Sequence, residues 1–339
     1  MSPQAGTVAW EMPTGAPHAA ILGLGVHRAK RVVPNADVIA AIDSSDEWIQ
    51  QRSGIKERRW VGPEETLESM ALAACEQALA HADIDPAQID AIVVATCTHT
   101  MQTPALAAKL AHLLGTQAPA AFDISAACAG FCHALSLGSD MVRAGTARHV
   151  LVVGAELLSE MTSKTDRSTA FIFGDGAGAV VVGPSETPGI GPVVWGSDGE
   201  QYDAIRQSTD WREVLADEHP VMPHIAMDGA TVFRWASFEM AKVAAATLDR
   251  TGISVEDIDL FIPHQANMRI IDAMARAMKL PEHVRIARDI AEQGNTSAAS
   301  VPLALGRMYE DGTAKSGDIA LLIAFGAGLS YAAQVVRIP

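Results

Sequence analysis

Short apolar, β-branched runs alternate with long Ala-rich segments along the chain. The runs AAILGLGV (19–26), IDAIVVATC (89–97), HVLVVGAEL (149–157), GAGAVVVG (176–183), IDLFIP (258–263) and DIALLIAFG (318–326) predict strands buried on both faces. The segments ESMALAACEQALAHA (68–82), TPALAAKLAHLLG (103–115), FRWASFEMAKVAAATLDRT (233–251) and NMRIIDAMARAM (267–278) predict helices. Strands that alternate with helices argue for an α/β fold.

The pattern also repeats. ADIDPAQIDAIVV (82–94) matches TGISVEDIDLFIP (251–263), with Ile84 on Ile253, Ile89 on Ile258 and Asp90 on Asp259, an offset of 169. At the same offset Leu79 falls on Leu248, and HVLVV (149–153) falls on DIALL (318–322). Separate matches at one offset indicate a duplication, with two similar halves at 1–184 and 185–339. A site would then lie most naturally at the interface between them. One polar, aperiodic stretch, 198–229, fits neither pattern and reads as a long surface excursion, either a functional loop or a solvated insertion.

Composition narrows the function classes. Hydrophobic residues make up 49% but aromatics only 5%, so small aliphatic side chains must do most of the packing. Twenty-five Lys and Arg against 40 Asp and Glu give a net charge of −15, which disfavours non-specific nucleic-acid binding. No run approaches 18 apolar residues and the N-terminus lacks a secretory pattern, so a membrane span is not expected. The four cysteines form no CxxC and no zinc-finger spacing, so neither a metal nor a disulfide framework is expected. A reducing, cytoplasmic location fits this usage.

Two of those cysteines lie four residues apart in DISAACAGFCHAL (123–135). The run from Ser125 to Val142 reads as a helix after the strand-like AAFDI, with Ser125 as N-cap and Cys128 in the first turn. There the helix dipole and unpaired N–H groups would lower the thiol pKa. Cys132 is a turn deeper and reads as inert. Alone, Cys128 fits a packed core cysteine as well as a nucleophile. Two further residues bear on that choice. His264 follows Pro263 at the carboxyl end of a predicted strand, where α/β folds place functional groups. Asn295 lies in a Gly-Asn-Thr-Ser turn. A thiol to attack, with an imidazole and an amide to stabilise an oxyanion, makes a coherent set.

The motifs FDISAACAGF, FIFGDGAGAVVVG (171–183), IPHQANMRIID, GNTSAAS and AFGAGLSYA (324–332) resemble, in content and order, those of β-ketoacyl-acyl carrier protein synthase III of the thiolase superfamily. The resemblance extends from DSSDEWIQQRSGIKERR (43–59) to the end of the chain. It implies a thiolase-like fold, two duplicated α/β halves in five αβαβα layers. It also implies a homodimer, no cofactor, and the substrates acyl-CoA and malonyl-acyl carrier protein.

Residue by residue, Cys128 matches the nucleophile, and His264 and Asn295 match the pair that binds the malonyl thioester carbonyl. The backbone N–H groups of Cys128 and Ala327 match the oxyanion hole. Relatives often carry Gly at the latter position, which matters only if φ is positive there. Trp48, Arg52, Arg167 and Asn267 match CoA contacts, and Gly229-Ala230 replaces a frequent Gly-Asn near the pantetheine. Thr103 matches a position that limits the acyl pocket, where a small residue would admit longer or branched primers. Lys56, Arg58, Arg59, Arg234 and Arg269 suit a basic rim for an acidic carrier protein. The FGDGAGA run is neither a dinucleotide fingerprint nor a P-loop, and reads as a tight turn with close backbone packing.

Other readings keep the same fold. A starter-unit synthase of an aromatic polyketide pathway would share every catalytic residue. An ester- or amide-forming acyltransferase is disfavoured by the presence of both His264 and Asn295. A non-catalytic, chain-length-factor-like subunit would lack Cys128. A thiolase would carry a second cysteine near the C-terminus, and none follows Cys132.

Overall fold

The computed structural model describes residues 13–339. Two five-stranded sheets form its frame. The first runs His18–Arg28, Asp175–Ser185, Val150–Leu157, Ala91–Ala95, Ala120–Ile124. The second runs Val194–Gly196, Tyr331–Arg337, Ile319–Phe325, Leu260–Pro263, Arg285–Ile286. The order is the same in both. In each, the three strands at one end are parallel and the other two antiparallel.

Five layers follow from what covers each face. Helices Leu67–Ala82 and Leu106–Leu114 bury their apolar sides on the outer face of the first sheet. Helices Gly130–Ala144 and Ser300–Glu310 lie between the sheets in a shared core with Val93, Val152, Leu260 and Leu322. Helices Gly229–Thr251 and Met268–Met278 cover the outer face of the second sheet. Strands covered on both faces have no solvent side, which is why Ala91–Ala95 reads as a continuous apolar run.

The strands and helices read from the pattern are present, with shifted ends. The helix expected from 103 starts at Leu106, where the Asp123 carboxylate accepts the Leu106 and Ala107 N–H groups at 2.7 and 2.9 Å. The helix expected from 233 starts at Gly229, because Asp228 caps it through the Ala230 and Thr231 N–H groups. The stretch 198–229 contains a short helix, Trp211–Ala216, and an antiparallel strand pair, Ile205–Gln207 with Ile225–Met227.

The Ser125-capped helix does not form as expected. A separate 3₁₀ turn, Ala127–Ala129, precedes helix Gly130–Ala144, and Ser125 caps neither. Ala127 adopts a left-handed φ of 45°, which breaks helical continuity just before Cys128.

Candidate active site

Cys128, His264, Asn295 and Ala327 line one cavity of about 700 Å³ between the two sheets' carboxyl ends. The cavity walls are mostly apolar, with Phe171, Val232 and Phe325 among them. Such a space admits an extended thioester and few waters.

His264 extends from strand Leu260–Pro263 and is 2% exposed. Its Nδ1 lies 2.6 Å from Ser300 Oγ, and its ring packs edge-on to Phe325 at 5.5 Å. Ser300 Oγ accepts the Gln265 N–H at 3.4 Å, so its own proton is free for Nδ1. Nε2 then carries the imidazole hydrogen and can donate. Burial holds the His264 pKa down at about 3, so the ring is neutral.

Asn295 stands on a turn held from both halves. Its N–H donates to Ile172 O and its carbonyl accepts from Gly174 N–H, each at 2.9 Å. Its side-chain oxygen accepts the Ser297 N–H at 2.9 Å, which leaves the amide NH₂ as donor. The close packing read into FGDGAGA is therefore directed at this turn. A Cβ on Gly174 would overlap Gln293 O, so only glycine lets the two backbones meet.

The Ala327 backbone approaches Cys128 by the same device. A Cβ on Gly326 would sit 2.6 Å from the Cys128 nitrogen. The residues with left-handed φ after it are Gly328 and Leu329, at 76° and 35°, whereas Ala327 is outside that region. The departure from glycine at 327 therefore costs no strain.

The expectation of a depressed Cys128 pKa is overturned by the surroundings of the thiol. Burial pushes the thiol up to about 12, the Ser297 hydroxyl draws it down, and the Glu156 carboxylate pushes it up further. A capped α-helix start is missing here, so the dipole contribution assumed from the sequence is weakened. Cys132 is fully buried and also pushed up to about 12 by burial alone. No group of three or more His, Cys, Asp or Glu arranged to hold a metal ion occurs among the described residues.

Trp48 stands beside Arg52 and Arg167, with guanidinium carbons 5.8 and 5.0 Å from its ring centre and Phe171 edge-on at 5.6 Å. Arg52 lines the cavity. An aromatic face between two guanidiniums suits an adenine ring and its phosphates. Asn267 lines the cavity too, but its side chain caps helix Met268–Met278 at Arg269 N and donates to Arg52 O. It therefore holds the Arg52 backbone in place, where the sequence pointed to a direct CoA contact. Gly229 and Ala230 line the cavity at the start of the capped helix.

Lys56, Arg234 and Arg269 are exposed, and Arg269 stacks 4.8 Å over Phe233 at the cavity rim. Arg58 is a correction. It is fully buried and donates to Val33 O, Asn35 Oδ1 and Phe171 O, so it is a strut beneath the entrance. Arg59 is half-buried, 3.8 Å from Glu57. Thr103 is exposed and does not line the cavity of its own chain, so it cannot limit that chain's acyl pocket.

The excursion at 198–229, left open between a functional loop and a solvated insertion, contributes Ile205, Gln207 and Met227 to the wall, so that segment roofs the cavity. Ser300 and Glu156 were passed over. GNTSAAS contains Ser300, and the single acid in the apolar run HVLVVGAEL was a signal for Glu156.

Comparisons with known proteins agree with this geometry. Two family descriptions match: 3-oxoacyl-[acyl-carrier-protein] synthase III over residues 122–199, and its C-terminal part over 248–338. The chain is 56% identical over 335 residues to β-ketoacyl-[acyl-carrier-protein] synthase III 1 of Streptomyces coelicolor, covering 96% of this chain and 98% of that one. It is 51% identical to a mycobacterial synthase III of Mycobacterium marinum, covering 96% and 97%. Among solved structures it is similar to the priming β-ketosynthase of the R1128 polyketide pathway, with TM-score 0.95, 47% identity and coverage of 98% and 99%. The 3-oxoacyl-[acyl-carrier-protein] synthase III of Aquifex aeolicus matches with TM-score 0.86, 39% identity and coverage of 94% and 100%. The chain belongs to the β-ketoacyl-acyl carrier protein synthase III family: it is an initiating ketosynthase, an acyltransferase with the thiolase-like fold.

Proposed function

We propose that the chain joins an acyl-CoA primer to malonyl-acyl carrier protein by decarboxylative Claisen condensation, releasing CoA and CO₂ and giving the 3-ketoacyl-acyl carrier protein that starts type II fatty-acid synthesis. The observation that carries this is a neutral, buried His264 with a free Nε2–H and an Asn295 with a free NH₂, facing the cavity that holds Cys128. Cys128 attacks the primer thioester and keeps the acyl group. The malonyl thioester carbonyl then takes hydrogen bonds from His264 and Asn295. Loss of CO₂ leaves its electron pair as an enolate on that oxygen, and the two donors stabilise it. The enolate carbon attacks the acyl-Cys128 carbonyl. The N–H groups of Cys128 and Ala327 hold the oxyanion in both acyl transfers.

Trp48, Arg52 and Arg167 would bind the CoA nucleotide, with Asn267 setting Arg52. Lys56, Arg234 and Arg269 would steer the carrier protein despite the overall negative charge. A homodimer is supported by the open edge of strand Ala120–Ile124, where Phe122 is 37% exposed. Asp123 ties the loop after Thr103 to that edge, so Thr103 would lie close to such an interface. The proposed halves divide at 184/185, at the last residue of strand Asp175–Ser185. Among the described residues no helix is long and apolar enough to cross a membrane.

A second reading, starter-unit priming for polyketide synthesis, is favoured by the similarity to the R1128 priming ketosynthase. One experiment tests both. The protein is incubated with a panel of acyl-CoAs, then with malonyl-loaded carrier proteins of either pathway, and followed by intact mass. A 3-ketoacyl product on a fatty-acid carrier supports the first reading; product on a polyketide carrier alone supports the second. Absence of an acyl adduct on Cys128 overturns both.

A further inference from the structure

Cys128 shares its cavity with a second thiol. Cys97 lines the same space, and the condensation steps leave it unused. Beside it stands Glu156, fully buried near the end of strand Val150–Leu157. Cys97 Sγ donates to Glu156 Oε1 at 3.3 Å and lies 3.5 Å from Oε2, and the Cys97 N–H donates to Oε2 at 3.1 Å. The other contacts fix the direction of these bonds. Thr98 Oγ1 and Thr96 Oγ1 stand 2.7 and 3.3 Å from Oε2. Each hydroxyl already accepts a backbone N–H, from Leu157 at 2.9 Å and from Thr98 at 3.2 Å, so its own proton is free for the carboxylate. The Ala298 N–H donates to Oε1 at 3.3 Å. Both oxygens therefore meet backbone N–H groups, which can only donate, and the carboxylate form fits. None of these partners is a Lys or Arg.

The Cys97 proton thus has an anionic acceptor. Removing it would set a thiolate within 3.5 Å of a buried carboxylate, where like charges repel strongly. Burial pushes the Cys97 thiol well above the usual range, and the Glu156 carboxylate pushes it further. We propose that Glu156 keeps Cys97 a protonated thiol and occupies its N–H, so that primer acylation is confined to Cys128. The thiolate is the nucleophilic form of cysteine, and the carboxylate disfavours it at Cys97. A tetrahedral intermediate on Cys97 would also need a donor for its oxyanion. The Cys97 N–H is held by Glu156 Oε2, whereas the Cys128 N–H is the one assigned to the oxyanion hole. Glu156 acts through Cys97, as a positioning residue that sets which sulfur reacts.

This inference rests on the acylation step of the condensation reading, but its main test needs no acyl donor. Cys128→Ala, Cys128→Ala/Glu156→Gln and Cys128→Ala/Glu156→Asp are treated with iodoacetamide in native buffer, and each cysteine is read by peptide mass. In the Gln variant the amide oxygen belongs at the Oε2 position, where three donors converge, which turns the NH₂ toward Cys97 Sγ. A donor there stabilises the thiolate, so Cys97 labelling should rise at least about tenfold, the change in thiolate population for one pKa unit. Glu156→Asp, which keeps the charge, should leave Cys97 unlabelled. Cys75 and Cys132 are both fully buried and serve as internal controls that stay unlabelled throughout. If they label together with Cys97, the carboxylate is only a strut whose loss opens the fold, and the proposal fails. Cys97 labelling unchanged by Glu156→Gln also overturns it. The Cys128→Ala protein, with Glu156 intact, is an arm that needs no change at the carboxylate. There Cys97 should resist iodoacetamide and take no acyl group from acetyl-CoA, and modification of Cys97 would sink the idea. A wild type that forms no adduct at Cys128 would instead overturn the condensation reading, and the labelling of Cys97 would still be read.

Discussion

The turn that carries Cys128 and the turn that follows Asn295 are the same structure used for two purposes. Each is a 3₁₀ turn leading into a helix buried between the sheets: Ala127–Ala129 before Gly130–Ala144, and Ser297–Ala299 before Ser300–Glu310. Each starts on a non-glycine residue in the left-handed region, Ala127 at 45° and Ser297 at 47°. The next residue is Cys128 in one and Ala298 in the other. At the first helical position, Gly130 has no side chain, whereas Ser300 supports His264. In the proposed assignment one turn carries the nucleophile with space around it, and the other supports the two donors. Paired turns of this kind meet across the fold only where glycines allow. A Cβ on Gly154 would overlap Ala298 O, just as one on Gly326 would crowd Cys128 N.

If that division holds, the largest effect comes from the attacking turn. Cys128→Ala should abolish the covalent acyl adduct, and Cys132→Ala should leave it intact by mass spectrometry. Acylation surviving in both would end the assignment. On the supporting turn, His264→Ala should still acylate but lose about 100- to 1,000-fold in decarboxylation of malonyl-carrier protein, the usual effect of removing one oxyanion donor. Ser300→Ala should lose less, about tenfold, because it frees the tautomer while leaving the ring in place. A Ser300→Ala loss as large as that of His264→Ala would mean that the hydroxyl takes a direct part.

The comparison also explains what the sequence could reveal. The alternation of strands and helices and the offset of 169 were legible because buried strands must be apolar and duplicated halves keep their spacing. Cys128, His264 and Asn295 were legible as chemistry-bearing residues in small-residue surroundings. The Cys128 pKa was misread because the burial that raises it is set by distant parts of the chain, and because the helix was read as starting at Ser125. A left-handed Ala127 carries no sequence mark, since alanine is an unremarkable helix former. Arg58 was misread because an arginine beside Lys56 and Arg59 resembles a surface patch, and only the fold shows the three oxygen acceptors that bury it. The roof from 205–227 was left open because its strand pair is stabilised by contacts with distant parts of the chain and has little local pattern.

A smaller effect tests the entrance. Trp48→Ala should raise KM for acyl-CoA up to about tenfold, the value of losing stacking between two guanidiniums. It should leave the turnover of pre-acylated enzyme unchanged. A fall in decarboxylation would mean that Trp48 shapes the cavity through Phe171, 5.6 Å away.

The smallest effect is a stability slope that only the supporting turn should produce. The His264 ring is neutral in the fold, with its pKa held down at about 3 by burial. An unfolded histidine titrates near 6.5, so between about pH 6.5 and 3 the unfolded chain binds the extra proton. The contribution of His264 is fully present above that range and is lost as pH falls through it. The buried carboxyls Glu156 and Asp175 have raised pKa values, so their contribution runs the other way, favouring the fold as pH falls. The net slope of the wild type is therefore a poor test, but a difference removes the shared terms. His264→Gln keeps a polar side chain and has nothing to titrate, so its urea midpoint should fall less than that of the wild type between pH 6.5 and 4.5. Parallel midpoints for the two proteins would show that His264 takes up its proton inside the fold as readily as outside it, and would overturn its depressed pKa.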